Sequence, residues 1–177
     1  NTLEFCRQRQ AGLVLLSTSR VYSVPALCRI PLASSHEAFA PAGGTWPAGA
    51  GPAGIDEDFS TGAPISLYGA TKLASEALAL EYRYAFDIPV VINRCGVLAG
   101  PGQFGTAEQG IFSFWVRSWA AGRPLRYIGF DGRGHQVRDA LHPVDLAELV
   151  TRQLVRGLDA SGVWNVGGGP DNAMSLA

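Results

Sequence analysis

Lysine is almost missing from this sequence: fourteen of its 177 residues are Lys or Arg, and Lys72 is the only lysine. Charge is scarce altogether, at 16% of residues against about 25% in typical soluble domains, while 47% are hydrophobic. That balance excludes a mainly disordered chain, and the length suits a single folded domain. Acidic and basic residues nearly cancel to a formal net charge of -1. The arginines form no stripe able to neutralise a run of phosphates, so nucleic acid is not an expected partner. Cysteine is limited to Cys6, Cys28 and Cys95. An odd, widely spaced set suits neither a disulfide framework nor paired zinc ligands, and it reads as reduced thiols in the cytoplasm with no metal. The longest apolar runs, Leu13 to Leu16 and Pro89 to Ile92, fall far short of the roughly 18 residues a membrane span needs. No charged-then-apolar leader opens the chain, and no membrane partner is expected. Methionine occurs once, at Met174. The chain opens on Asn1 in what reads as a helix and closes on Ser175-Leu176-Ala177 where another is expected to begin, so a longer natural polypeptide is expected.

What is present reads as α/β. Leu13 to Ser17 is a short apolar run ending in hydroxyls, the pattern of a strand buried on both faces whose carboxyl end reaches a site near Thr18. From Pro25 to Pro64 the composition turns to Ala, Gly and Pro, with no charge between Ala38 and Gly54, which predicts a long surface loop. Ser66 to Phe86 is rich in Ala, Leu and Glu without an internal proline, and Pro89 stops any continuation, so a long helix is expected. Val90 to Leu98 is a second β-branched run, and strand, helix, strand in that order predicts a crossover between parallel strands. A helix over Gln109 to Ala121 follows, closed by Gly122. Two strands, Leu125 to Phe130 and His135 to Leu141, are expected around the Asp131-Gly132-Arg133-Gly134 turn. Pro143 stands where a first helical residue is favoured, a helix is expected over Val144 to Leu158, and Val163 to Val166 closes as a strand.

Tyr68 and Lys72 lie four residues apart at the start of the long helix, so both project from one face. A phenol alone is a poor base at neutral pH, but an adjacent ammonium favours its phenolate form, and the pair can then move a proton. A compact ammonium also offers donors that can hold a ribose, a use that a guanidinium does not serve in a chain whose other cations are all arginine. The hydroxyls of Ser17, Thr18 and Ser19 end the preceding strand, and ligands of open α/β sheets bind beyond such carboxyl ends. The plain alternatives are a surface pair on a helix and a strand-ending turn.

Taken together, Ser17-Thr18-Ser19-Arg20-Val21-Tyr22, Tyr68-Gly69-Ala70-Thr71-Lys72, Arg94 to Pro101 and Gln136 to Asp145 resemble successive motifs of the extended short-chain dehydrogenase/reductase superfamily, the NAD-dependent epimerase/dehydratases. Within it, Gly54-Ile55-Asp56-Glu57, Gly100 to Gly110 and Gly132 to Asp139 are most similar to the CDP-paratose 2-epimerase branch, also called CDP-tyvelose epimerases. The resemblance implies a partial Rossmann-like sheet over residues 1–100 for NAD, a largely substrate-binding region over 101–162, and a returning strand over 163–169. It implies an isomerase that uses NAD to withdraw hydride from C2 of a nucleotide-linked sugar and return it to the opposite face. Tyr68 is then the proton-transfer group, Lys72 its partner and the holder of the nicotinamide ribose, and Thr18 the hydroxyl on the reacting oxygen. Cys95 lies where the backbone passes the nicotinamide. Ser19, Gln103 and Phe104 line the sugar nucleotide, and Arg138 clamps its diphosphate. Other members of the superfamily acting on UDP-sugars, 4-epimerases or decarboxylases, are the first alternative, and a non-catalytic dinucleotide-binding or protein-interaction module is the second.

Departures from the family pattern carry information too. Ser19 and Arg20 stand where sugar 4,6-dehydratases carry an acidic pair, and without those carboxylates to deliver and remove protons a dehydratase is disfavoured. Ser23 replaces a glycine, and the stretch from Ala38 to Gly54 has no counterpart in the pattern. The glycine-rich strand-to-helix turn that grips the pyrophosphate of NAD is not in this sequence. Gly167-Gly168-Gly169 leads to Pro170, not into a helix at the required spacing. His142 before Pro143 reads as a cap, Asp139 and Asp145 as structural carboxylates, and His36 and His135 offer no paired ligand spacing. Phe112, Phe114, Trp115 and Trp119 read as helix core, or as a subunit contact that would make a homo-oligomer.

Overall fold

The computed structural model describes every residue except Leu158 and Ala160. In chain order its elements are α1 (Thr2–Arg9), β1 (Leu13–Thr18), the short α2 (Val24–Leu27), a hairpin of β2 (Leu32–Ser35) and β3 (Ala38–Pro41), and a tight hairpin of β4 (Ala50–Gly51) and β5 (Gly54–Ile55). They continue with α3 (Leu67–Phe86), β6 (Val90–Cys95), β7 (Val97–Leu98), α4 (Ile111–Ala120), β8 (Arg138–Leu141), α5 (Pro143–Val155), β9 (Gly162–Val166) and β10 (Ala173–Met174). They divide into two compact units. One holds residues 1–30, 45–95 and 147–166, and the other 31–44, 96–146 and 167–177. Among the described residues no helix is long and apolar enough to cross a membrane.

The first unit is built on a parallel sheet in the order β1-β6-β9, with Thr18 opposite Cys95 and Cys95 opposite Val166. Three carboxyl ends therefore stop in register. The central strand β6 is buried along its whole length, as a β-branched strand covered on both faces must be. Its alternation sorts the two faces. Val90 and Ile92, fully buried, join Cys6, Ala79 and Ile88 in a core that Leu3, Leu13, Leu15 and Val163 complete. Each such aliphatic side chain contributes about 1.5–3 kcal/mol by leaving water. On the opposite face Asn93 and Gln153 of α5 exchange two amide hydrogen bonds of 3.0 Å, which satisfies both buried side chains. The helix α3 starts at Ser66, whose hydroxyl accepts from Gly69 N–H at 2.9 Å, and it ends where Asp87 turns left-handed two residues before Pro89.

The second unit has its own small sheet, β10-β8-β7, with β8 antiparallel to β10 and parallel to β7. Asp139 lies against Gly96 and Gly167, where a Cβ would crowd its carboxylate, and it accepts from Gly168 N–H at 3.1 Å. This is the structural part expected of it. His142 Nδ1 accepts from Val144 N–H at 3.3 Å and so caps the start of α5. Trp115 stacks on Tyr127 at 5.0 Å within this unit.

Several sequence expectations change. The stretch from Pro25 to Pro64 is not one irregular loop: it holds α2 and two hairpins, because alternating small residues allow short ladders that composition alone does not reveal. The run Val90 to Leu98 breaks at Gly96, and its last two residues pair in the other sheet. Leu125 to Phe130 is not a strand: among the described residues it joins no ladder, Ile128 is 80% exposed, and the Ile128 carbonyl accepts instead from the Gln136 side chain at 3.0 Å. The following strand begins at Arg138 and not at His135, and α4 begins at Ile111 after Gly110 takes a positive φ of 70°. Trp119 is 80% exposed, outside the core expected for it. Leu16 is 44% exposed on β1, which lies at an edge of its sheet and is not covered on both faces. No helix starts at Ser175; Leu176 is held extended by its N–H to the Gly134 carbonyl. The expected end of the α5 helix at Leu158 lies outside the described residues.

Candidate active site

In the first unit, β1 delivers Ser17 and Thr18 to the carboxyl end of the sheet, and a single turn of 3-10 helix over Ser19–Val21 follows. Thr18 Oγ1 accepts from Arg20 N–H at 3.3 Å, which fixes the hydroxyl at the turn and leaves its own hydrogen to donate. The amino end of α3 rests directly on this turn. Gly69 is buried so closely against Arg20 that a Cβ there would overlap the Arg20 carbonyl oxygen. Tyr68, the residue before Gly69, is 46% exposed. One helical turn on, Lys72 Nζ donates to the Leu16 carbonyl at 3.0 Å, two residues before Thr18. Two contacts, Gly69 on Arg20 and Lys72 on Leu16, set the amino end of α3 against the end of β1 that carries Thr18.

The Gly69 contact gives a direct prediction. Gly69→Ala must separate α3 from the turn, and overpacking of this kind costs about 1–3 kcal/mol. The variant is expected to lose thermal stability by that amount and to lose most of its turnover. Unchanged melting and unchanged turnover in the full-length protein would show that the contact does not set the site.

Cys95, paired with Thr18, is 4% exposed, and its thiol lies 3.5 Å from the Asn93 carbonyl. Burial pushes this thiol above its ordinary range, although the charge of Lys72 works in the other direction. The Cys95 backbone ends β6 beside Thr18 of β1.

Sequence reasoning missed what lies under this end of the sheet. Arg94 and Glu76 form a buried ion pair, 8% and 1% exposed, with Arg94 Nη2 2.8 Å from Glu76 Oε2 and Nε 3.2 Å from both carboxylate oxygens. Ser17 Oγ donates to Glu76 Oε1. Arg94 Nη1 also donates to the Tyr22 hydroxyl at 3.3 Å and to the Glu57 carbonyl at 3.2 Å. Tyr22 donates in turn to Asn165 Oδ1 at 2.5 Å, and Asn165 donates its N–H to Glu57 Oε1 at 2.6 Å and its amide to the Ile55 carbonyl at 2.9 Å. Burial works against the Arg94 charge, but the Glu76 and Tyr22 hydrogen bonds outweigh it and hold the guanidinium above its ordinary value. Burial pushes the Tyr22 phenol up, with Arg94 opposing. The available signal was a lone charge in the apolar strand Val90–Cys95, which demands a partner, and a glutamate four residues after Lys72 on the same helix.

The second unit carries the residues expected for substrate. Gln103 has both ends of its amide engaged, donating to the Leu98 carbonyl at 2.9 Å and accepting from Ser113 Oγ at 2.6 Å, so it fastens the loop that enters α4. Phe104 beside it is 85% exposed, with the Arg117 guanidinium 6.0 Å over its ring. Arg138 opens β8 opposite Met174. Ser19, in the first unit, is exposed at the turn after Thr18.

The family model described as NAD dependent epimerase/dehydratase matches residues 1–167. The chain is 31% identical over 119 residues to a CDP-paratose 2-epimerase of Salmonella typhi, covering 63% of this chain and 34% of that protein. It is 33% identical over 106 residues to a dTDP-glucose 4,6-dehydratase of Xanthomonas campestris pv. campestris (strain B100), covering 60% and 28%. Among solved structures, the UDP-glucuronic acid 4-epimerase of Bacillus cereus in complex with NAD superposes with a TM-score of 0.67 at 26% identity, over 98% of this chain and 45% of that one. The chain spans about a third of the length of these curated relatives and just under half of that structure.

Proposed function

Because the chain belongs to the NAD dependent epimerase/dehydratase family, we propose that it carries the catalytic part of a nucleotide-sugar epimerase acting at C2 of CDP-paratose. The observation that carries this reading is the seat of Lys72 on the Leu16 carbonyl, which holds the Tyr68 and Lys72 face of α3 at the end of β1 where Thr18 stands. The residues present fit the nicotinamide-ribose end of NAD: Lys72 spends one N–H on Leu16 and has others for ribose hydroxyls. NAD held there by Lys72 would supply a reversible hydride acceptor for the ring carbon.

The chain's own residues handle the proton and the geometry. Tyr68 removes the proton from the hydroxyl of the reacting carbon as the ketone forms, and gives it back as the hydroxyl is restored. Thr18 donates its free hydrogen to the same oxygen, a role open to it because its acceptor side already serves Arg20 N–H. Lys72 holds the ribose with the N–H groups that Leu16 does not use. Arg138 clamps the diphosphate through a charged fork of donors, with Ser19 and Phe104 against the sugar nucleotide. Ser19 and Arg20 in place of an acidic pair favour epimerisation over dehydration. The likeness to a UDP-glucuronic acid 4-epimerase keeps one other reading in view, a 4-epimerase of a UDP-sugar.

Nucleotide choice separates these readings. CDP is expected to raise the melting temperature of the full-length protein more than UDP or dTDP; a larger rise with UDP moves the reading to the 4-epimerase. Steady-state kinetics then test the roles. Arg138→Ala is expected to raise KM about 10- to 100-fold, the worth of hydrogen bonds to a charged group, with little change in kcat. Lys72→Ala is expected to lower kcat and release NAD together. An unchanged KM in Arg138→Ala contradicts the clamp.

A further inference from the structure

The Ala- and Gly-rich stretch plays no part in the reaction outlined above, yet one piece of it is built into the substrate-binding unit. Residues 31–44 belong to that unit, and their hairpin is closed at its base by Ala42 N–H donating to the Pro31 carbonyl at 2.9 Å. β2 is exposed throughout, while Ala38, Phe39 and Ala40 of β3 are half-buried. Phe39 turns its N–H outward from the hairpin to the His135 carbonyl, at 2.8 Å, and sets its ring edge-on to the imidazole at 5.8 Å. Among the described residues, His135 Nδ1 is buried without a hydrogen-bond partner, and the Phe39 ring packs against this imidazole.

The segment so gripped needs a grip. Gly132 and Gly134 have positive φ of 67° and 75°, and a run that holds two such glycines is conformationally permissive. On its other side Gly134 abuts the Tyr127 ring and accepts from Leu176 N–H at 3.1 Å. Three residues after His135 comes Arg138, at the first position of β8. We propose that the hairpin is a specificity element, in which Phe39 fixes His135 and thereby the point from which Arg138 reaches the diphosphate of the nucleotide sugar. Phe39 is a positioning residue, and the proposal rests on the reading of Arg138 given above.

The test uses the full-length protein and calorimetry with CDP, UDP and dTDP, alongside bound NAD content and melting temperature. For whichever nucleotide the wild type holds best, Phe39→Ala is expected to weaken binding about three- to tenfold, the range of one aromatic pair, with NAD content unchanged. Phe39→Tyr, which keeps the ring, is expected to bind like wild type. Replacing residues 33–40 by two glycines carries the same expectation as Phe39→Ala and decides the matter if that variant does not fold. Equal nucleotide affinity in wild type and the variants overturns the proposal, as does a loss of NAD in step with nucleotide. A wild type that binds none of the three nucleotides refutes the nucleotide-sugar reading itself, and this proposal with it.

Discussion

Tyr68→Phe in the full-length protein is expected to lower turnover about 10²- to 10⁴-fold, the usual worth of a positioned proton-transfer group, while NAD stays bound. The ring is retained, so the packing of the α3 start survives; Gly69 still meets Arg20 and Lys72 still reaches Leu16. What disappears is the hydroxyl oxygen to which the proposed reaction assigns the sugar's proton. KM is expected to change little, because the phenol acts chiefly in the transition state. Turnover within a fewfold of wild type refutes the assignment and moves the proton to another group.

The largest effect on stability is expected at Glu76. Its carboxylate is 1% exposed and is the only counter-charge placed on the buried Arg94 guanidinium among the described ion pairs. Removing one partner of such a pair strands the other and costs about 3–5 kcal/mol. At about 2–4 °C per kcal/mol for chains of this size, Glu76→Ala should melt roughly 6–20 °C below wild type. Ser17 would lose its acceptor as well, so disorder should reach the strand end that carries Thr18. The double variant Glu76→Leu, Arg94→Met is expected to recover most of the loss, since the penalty lies in the orphaned charge and not in the missing contact. A drop below about 2 °C for Glu76→Ala, or a double variant no better than the single, shows that the pair does not hold the end of the sheet.

Particular residues explain how far the sequence could be read. The strand read at Leu13 to Ser17, the helix read at Ser66 to Phe86 and the first part of the run Val90 to Leu98 were legible because apolar runs, helix propensity and a proline stop are local signals. Tyr68 and Lys72 were legible because helical spacing alone puts them on one face. The hairpin Leu32–Pro41 was not, since its strands are small and nearly uncharged, and what fixes them includes the distant carbonyl of His135. The same holds for the Ser17, Glu76, Arg94, Tyr22 and Asn165 network, in which Tyr22 and its partner Asn165 lie 143 residues apart in the chain and meet only once the parallel sheet has formed. Gln103 adds what its motif does not show: its amide also holds the loop, with one bond donated to the Leu98 carbonyl and one accepted from Ser113.

The proposal of a nucleotide-sugar epimerase that works by hydride removal and return is tested most directly by an isotope. CDP-paratose carrying deuterium at C2 is incubated with the full-length protein in ordinary water, and the epimerised product is examined at the same carbon. Deuterium retained at C2 is the predicted result, because the hydride leaves and returns without meeting solvent. Replacement of the label by solvent hydrogen contradicts the account, since it would mean that the carbon was inverted through proton exchange instead.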